Sequence, residues 1–260
     1  MILVIDSGNT NIVFAIFDDT GNIKGKWRIS SSGNRTADEY GVWLNQLIKL
    51  SNIQKNQISK SIIATVVPAT LFALKMLCRN YFNSTPLVVG DKDVYLGLKI
   101  CVDNPEEVGA DRIANAIAAQ KYHKLPLIII DFGTATTFDV IDKNGSYEGG
   151  IIAPGINLSL ESLHQNAAQL PRIAISKPTR VLGKSTLEAM RSGVFWGYIA
   201  LIEGLVKRIQ RELNQEEFNV IATGGLSPLF EKHCEVIEKS DEDLTLFGLY
   251  LIYQRNINCR

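Results

Sequence analysis

The stretch LPLIIIDFGTATTFDVI, residues 125–141, decides the fold, because MILVIDSGNTNIVFAIFDD at residues 1–19 makes the same turn. In each, an apolar strand-like run ends in Asp-x-Gly (Asp6 and Gly8, Asp131 and Gly133), one or more threonines follow, and a second apolar run returns. Glycine in such a turn lets backbone N–H groups approach an anion with no Cβ in the way. Thr10, Thr134, Thr136 and Thr137 add hydroxyl donors, and Asp6 and Asp131 place a carboxylate beside each turn. A bare carboxylate repels phosphate, so the arrangement makes sense with cations between, as when Mg²⁺ is held by one or two carboxylates together with phosphate oxygens. Asp-Gly and Asn-Thr also occur in ordinary hairpins. Two related turns, each after a buried strand, favour a nucleotide polyphosphate held from both sides.

The elements around the turns come in one order, twice. Residues 1–5, 12–17 and 25–30 read as a three-strand meander. Thr36 and Glu39, in capping-box spacing, open a helix over 36–50. A β-branched strand over 61–68 ends at Pro68, a helix follows over 69–82, and 86–90 adds a strand. From Leu125, strands over 125–131, 136–141 and 149–153 repeat the meander; Ser185 and Glu188 supply a second capping box before a helical run to about Leu213. A strand at 219–225 and a helix over 244–256 close the chain. The expectation is an α/β protein of two similar lobes, residues 1–115 and 116–260, packed with a cleft between them.

Lys plus Arg and Asp plus Glu both number 27, so no overall field draws the protein to nucleic acid or to an acidic membrane surface, and a small-molecule partner is expected. Apolar runs of about five to eight residues are too short to span a bilayer, and no basic segment precedes the first; a cytoplasmic location is expected. Cys78, Cys101, Cys234 and Cys259 lie far apart, and His123, His164 and His233 match no ligand pattern, so neither structural zinc nor a disulfide framework is expected.

Phosphoryl transfer asks for in-line placement and charge stabilisation more than for covalent help. Asp111-Arg112, after Gly109, offers a carboxylate and a cation side by side. The spacing of Ile113, Ala116, Ile117 and Gln120 predicts a helix from about Ala110, which puts Asp111 in a first turn. There the dipole favours its ionised form, able to accept a hydroxyl proton, and Arg112 is suited to bidentate pairing with a carboxylate. Asp18 and Asp139 read as counterparts, either turn-end carboxylates or helpers of a cation. Gly193 and Gly197 permit close helix contact, at a dimer face or inside the chain.

The duplicated hairpin resembles the phosphate-binding turns of the acetate kinase, sugar kinase, Hsp70 and actin superfamily. More closely, DSGNTNIVFAIFD, VGADRIANAIAA, DFGTATTFDVI, GGIIAPGI, LPRI, STLEAMRSGVFWGYIALIEGLVKRI, VIATGG and DLTLFGLYLIYQRN resemble, in this order, type III pantothenate kinase. The resemblance implies a duplicated ribonuclease H-like (actin-like ATPase) fold with mixed five-stranded sheets, and phosphorylation of pantothenate to 4'-phosphopantothenate with ATP and Mg²⁺. It implies that Asp6, Ser7, Gly8, Asn9, Thr10, Asn11, Ile12 and Val13 hold ATP phosphates, Asp6 also meeting Mg²⁺ through phosphate or water, and that Thr134 meets ATP. Asp131 is similar to the family's ligand for K⁺ or NH₄⁺. Gly109, Ala110, Asp111 and Arg112 would hold pantothenate, with Asp111 as proton acceptor. Thr186 matches a threonine that reaches the substrate from the opposite subunit, which implies a homodimer. The superfamily resemblance also implies that Gly224-Gly225 lets backbone lie close to a flat adenosine; the alternative is a simple strand-to-helix turn. The chain departs from the family at Val102, where a tyrosine of the pantothenate pocket is common, and at Ser7, where valine is frequent. A kinase of another hydroxylated acid or sugar, and a nucleotide-binding accessory protein, are the alternatives. Asp6, Asp111, Arg112 and Asp131 together argue against the accessory protein.

Overall fold

The computed structural model describes residues 1–166, 170–215 and 217–258. Strands β1 (Ile2–Ser7), β2 (Asn11–Phe17), β3 (Ile23–Ser30), β4 (Lys60–Thr65) and β5 (Leu87–Val88) form one five-stranded sheet in the order β3-β2-β1-β4-β5. A second sheet, from β6 (Leu127–Phe132), β7 (Ala135–Ile141), β8 (Tyr147–Pro154), β9 (Asn219–Thr223) and β10 (Lys239–Ser240), has the equivalent order β8-β7-β6-β9-β10. In both, the meander is antiparallel and the later strands join parallel. The repetition reaches single residues: Asp6 pairs with Val13 and Asp131 with Thr137, and a register shift falls at the end of the second strand in each, at Ile16/Phe17 and Val140/Ile141.

The central strands β1 and β6 are nearly all apolar because both their faces are covered. Leu3 and Ile5 face a core shared with α1 (Ala37–Leu50) and α2 (Pro68–Phe82), and Ile2 and Val4, also fully buried, face the other way. Helix α7 (Leu244–Asn258) packs on β1 and β4, with Phe17 stacked on Tyr250 at 4.9 Å. Helix α3 (Ala110–Tyr122) meets α7 so closely that a Cβ at Gly248 would lie 1.9 Å from the Ala114 carbonyl oxygen. Thr245 Oγ1 donates to the buried Asn115 Oδ1 at 2.7 Å across the same contact. In the second sheet Ile128, Ile130 and Phe132 face a core built with α4 (Ile156–Asn166), α5 (Thr186–Glu212) and α6 (Ser227–Glu231).

By its contacts the chain divides into two compact units, Met1–Leu98 with Asp103–Lys121 and Leu244–Arg260, and Lys99–Val102 with Tyr122–Asp243. The expected division at 115/116 falls inside α3 and leaves α7 with the second half. The difference has a physical source: α7 buries its apolar face on the first sheet, and α3 packs on α7.

Thr36 caps α1 in the full box, its side chain accepting the Glu39 N–H while Glu39 accepts the Thr36 N–H. At α5 only half of the expected box forms. Ser185 Oγ accepts the Glu188 N–H at 3.2 Å, but the Glu188 carboxylate accepts from Lys184 N at 2.7 Å, one residue before the cap. Cys78, Cys101 and Cys234 are free thiols; Cys259 lies outside the described residues.

Candidate active site

The first hairpin turns through Gly8, Asn9 and Thr10, and the Gly8 N–H donates to Asn11 O at 2.9 Å. The Gly133 N–H likewise donates to Ala135 O at 3.0 Å. Both glycine donors therefore close their own turns, and the exposed residues at the tips are Asn9 and Thr10 in the first hairpin and Gly133 and Thr134 in the second. Alternation along β1 separates its last two residues. Asp6 shares a face with Val4, the side covered by α7; Ser7 shares the α2 side with Leu3 and Ile5. The Ser7 and Ile12 side chains are fully buried, so only their backbone can meet a phosphate. Thr136, expected as a donor, is 0% exposed and points to the same core as Phe138; it is not brought to the tip.

Gly109-Ala110-Asp111-Arg112 opens α3 as the spacing predicts. Asp111 turns back over Gly109, where a Cβ would stand 2.6 Å from its Oδ1, and that oxygen accepts the Arg112 N–H at 2.8 Å. Glycine at 109 thus leaves room for the carboxylate, and the helix-start N–H orients it. Val66, in the turn between β4 and α2, lies 3.7 Å from the same Cβ position. Asp111 is half-buried, and its helix packs on α7, on the side of the first sheet that Asp6 faces.

In the second unit, Gly224 adopts φ +87°, a region where other residues are strained. A Cβ there would lie 2.7 Å from both Asp131 Oδ1 and Phe132 O. A carboxylate oxygen and a carbonyl oxygen therefore border a space that only glycine leaves open, a signal that sequence reading missed. Gly224 sets this close approach, whereas Gly225 has open space around it.

The pairing of Asp18 with Asp139 is not observed. Asp18 corresponds to Asp142: each ends the second strand of its meander and accepts two backbone N–H bonds within the next turn, from Thr20 and Asn22 or from Asn144 and Ser146. The Thr20 hydroxyl and the Asn22 N–H hold the Asp18 carboxyl well below the usual carboxylate range. Asp139 instead lies mid-strand, fully buried, and accepts from Tyr147 Oη at 2.6 Å and from Thr137 Oγ1. Val102 lies beside β8, its Cγ1 3.8 Å from where a Gly149 Cβ would stand, in a segment tied to Tyr147 through Lys99 O and Cys101 N.

Thr186 starts α5 and is exposed at the edge of a largely apolar concavity of about 670 Å³, lined also by Leu163, Met190, Gly193, Gly197 and Tyr198. Among the described residues a Cβ at Gly193 or Gly197 would meet nothing within 4 Å, so the two glycines lie on an open face of α5. Among the described residues no group of three or more His, Cys, Asp or Glu converges on one point, and no helix is long and apolar enough to cross a membrane.

Comparison with known proteins settles the family. A family model of type III pantothenate kinase matches residues 2–208. The type III pantothenate kinase of Paramagnetospirillum magneticum is 60% identical over 257 residues, covering 98% of each chain. The chain belongs to the type III pantothenate kinase family. The Rhodospirillum rubrum member of that family is 57% identical over 256 residues, 98% of this chain and 99% of that one. Among solved structures, a Campylobacter jejuni protein described as a Baf family transcriptional activator matches with TM-score 0.62 at 20% identity, over 98% of this chain and 99% of that one. The activator of 2-hydroxyisocaproyl-CoA dehydratase from Clostridium difficile, with bound ADPNP, matches with TM-score 0.58 at 13% identity, over 99% and 96%. At these identities the two structures bear on the fold alone, a two-sheet α/β architecture.

Proposed function

We propose that the chain transfers the γ-phosphoryl group of ATP to the primary hydroxyl of pantothenate, the first step of coenzyme A biosynthesis, with Asp111 as proton acceptor. Membership of the type III pantothenate kinase family over the whole chain carries the reaction. The geometry at the head of α3 supports the role of Asp111. The hydroxyl oxygen forms a bond to the γ-phosphorus as its proton passes to the Asp111 carboxylate. The bond from the γ-phosphorus to the bridging oxygen breaks, and ADP leaves with that oxygen. One Asp111 oxygen is occupied by the Arg112 N–H, which fixes the carboxylate plane before substrate arrives. Arg112 pairs with the pantothenate carboxylate, held by Gly109 and Ala110 beside it.

The tip residues Asn9 and Thr10, with the backbone of Asp6 to Val13, take ATP phosphates, and Thr134 meets ATP from the second hairpin. Asp6 offers a hard oxygen next to those phosphates. That donor set fits Mg²⁺, which binds through one or two carboxylates, phosphate and water without a protein cage. When bound, Mg²⁺ supplies neutralisation of the charge that develops on the phosphate oxygens. The oxygens of Asp131 and Phe132 around Gly224 fit a monovalent cation, K⁺ or NH₄⁺, in the same way. A homodimer, with Thr186 reaching the substrate of the partner subunit, is supported by the apolar concavity beside Thr186 and the open faces of Gly193 and Gly197.

Asp111→Asn tests the mechanism: kcat falls by ~10²-fold or more, on the scale of a general base, while the ATP dissociation constant stays within about twofold. Full turnover by that variant would show that another group takes the proton.

A further inference from the structure

Ser7 stands directly before Gly8, yet its side chain leaves the phosphate turn altogether. Its hydroxyl is fully buried and lies 2.9 Å from Thr70 Oγ1, itself 1% exposed. Thr70 Oγ1 also lies 2.9 Å from Val67 O, to which it can donate, and either hydroxyl of the Ser7–Thr70 pair can donate to the other. Thr65 Oγ1, 3.3 Å from Thr70 Oγ1, accepts the Val67 N–H at 3.0 Å. The Ser7 carbonyl accepts the Val66 N–H at 3.1 Å. Backbone and side chain of one residue thus hold the single turn from Thr65 to Thr70, and that turn carries Val66 against Gly109, the residue before the helix of Asp111.

In the second unit the corresponding turn keeps a hydroxyl bond, Ser227 Oγ donating to Gly224 O at 2.8 Å, but the hairpin has no hydroxyl at the place of Ser7 to meet it. There Phe132 precedes Gly133 and stacks on Phe230 of α6, ring centroids 4.8 Å apart and planes 13° from parallel. A stack tolerates sliding, whereas a hydrogen bond weakens steeply with misalignment.

We infer that Ser7 and Thr70 are positioning residues for phosphoryl transfer: their hydroxyl pair fixes the first hairpin against the turn that abuts Gly109, and so sets its tip relative to Asp111. The inference rests on the reading of that tip as an ATP phosphate turn and of Asp111 as the proton acceptor. Steady-state constants for Ser7→Ala, Thr70→Val, the double variant, Ser7→Thr and Thr70→Ser, taken well below each Tm, test it. Loss of in-line placement lowers kcat by ~10-fold in Ser7→Ala and in Thr70→Val. The double variant is no slower than Thr70→Val, which already removes the one hydroxyl contact that Ser7→Ala removes, and the two hydroxyl-keeping variants retain most of kcat. A purely structural contact would lower Tm and leave kcat alone. Wild-type kcat in both singles, or a loss in the double equal to the product of the two, overturns the inference. Thr10→Val and Asp111→Asn, run beside them, separate the failures. If these two impair turnover while the Ser7 and Thr70 variants do not, only the positioning role falls; if they too are fully active, the reading of the site falls with it.

Discussion

Asp131 and its two glycines show how far single residues could be read from the sequence. The carboxylate and Gly133 were visible as a motif, and alternation along a buried strand already separates Asp6 from Ser7 and Asp131 from Phe132. What the chain order could not show is Gly224, just after a strand far along the chain, brought by parallel pairing of β6 with β9 so close that a Cβ on it would lie 2.7 Å from Asp131 Oδ1. The Ser7–Thr70 contact, 63 residues apart, was hidden for the same reason. Thr136 is buried while Thr134 reaches the tip, and period 2 turns Thr136 and Thr137 to opposite faces, which a cluster of threonines read as one motif does not convey. From the Asp131 geometry, turnover is higher in K⁺ than in Na⁺, and Asp131→Asn or Gly224→Ala removes the difference, the second by filling the space with a Cβ. Rates with K⁺, NH₄⁺ and Na⁺ at constant ionic strength measure this; a cation preference unchanged in both variants would place the ion elsewhere.

At the scale of elements, the long helices and central strands declared themselves through period and caps, and their observed ends lie close to the expected ones. The five-residue α6 and the two-residue β10 carry too few positions for a periodic pattern. The half-formed box at Ser185 shows that spacing alone does not say which N–H a glutamate will reach. The contact between α3 and α7 depends on Gly248. Gly248→Ala drives a Cβ against the Ala114 carbonyl and costs about 1–3 kcal/mol as overpacking, read from urea unfolding. Gly193→Ala, on an open helix face, shows no such loss. Equal stabilities of the two variants would mean that the helices part more easily than their approach suggests.

At the scale of the whole molecule, the repeated turn announced the duplication, and the two sheets carry it through in strand order, pairing and bulge. The pattern of α7 marked it as a helix without saying which sheet it covers, so the units did not follow the order of the chain. If Thr186 serves the partner's site, Asp111→Asn and Thr186→Ala subunits rescue each other when unfolded together and refolded as a mixture. Random pairing makes half the dimers mixed, each with one intact site, so activity returns to about a quarter of wild type. Activity no greater than the average of the two variants alone would mean that each chain completes its own site.

The most direct test of the central claim is steady-state ADP release by the purified protein with ATP and Mg²⁺, with and without pantothenate, and with the product identified by mass. The account predicts turnover that requires pantothenate and yields one 4'-phosphopantothenate for each ADP. ADP release indifferent to pantothenate, or none with it, would contradict the assignment.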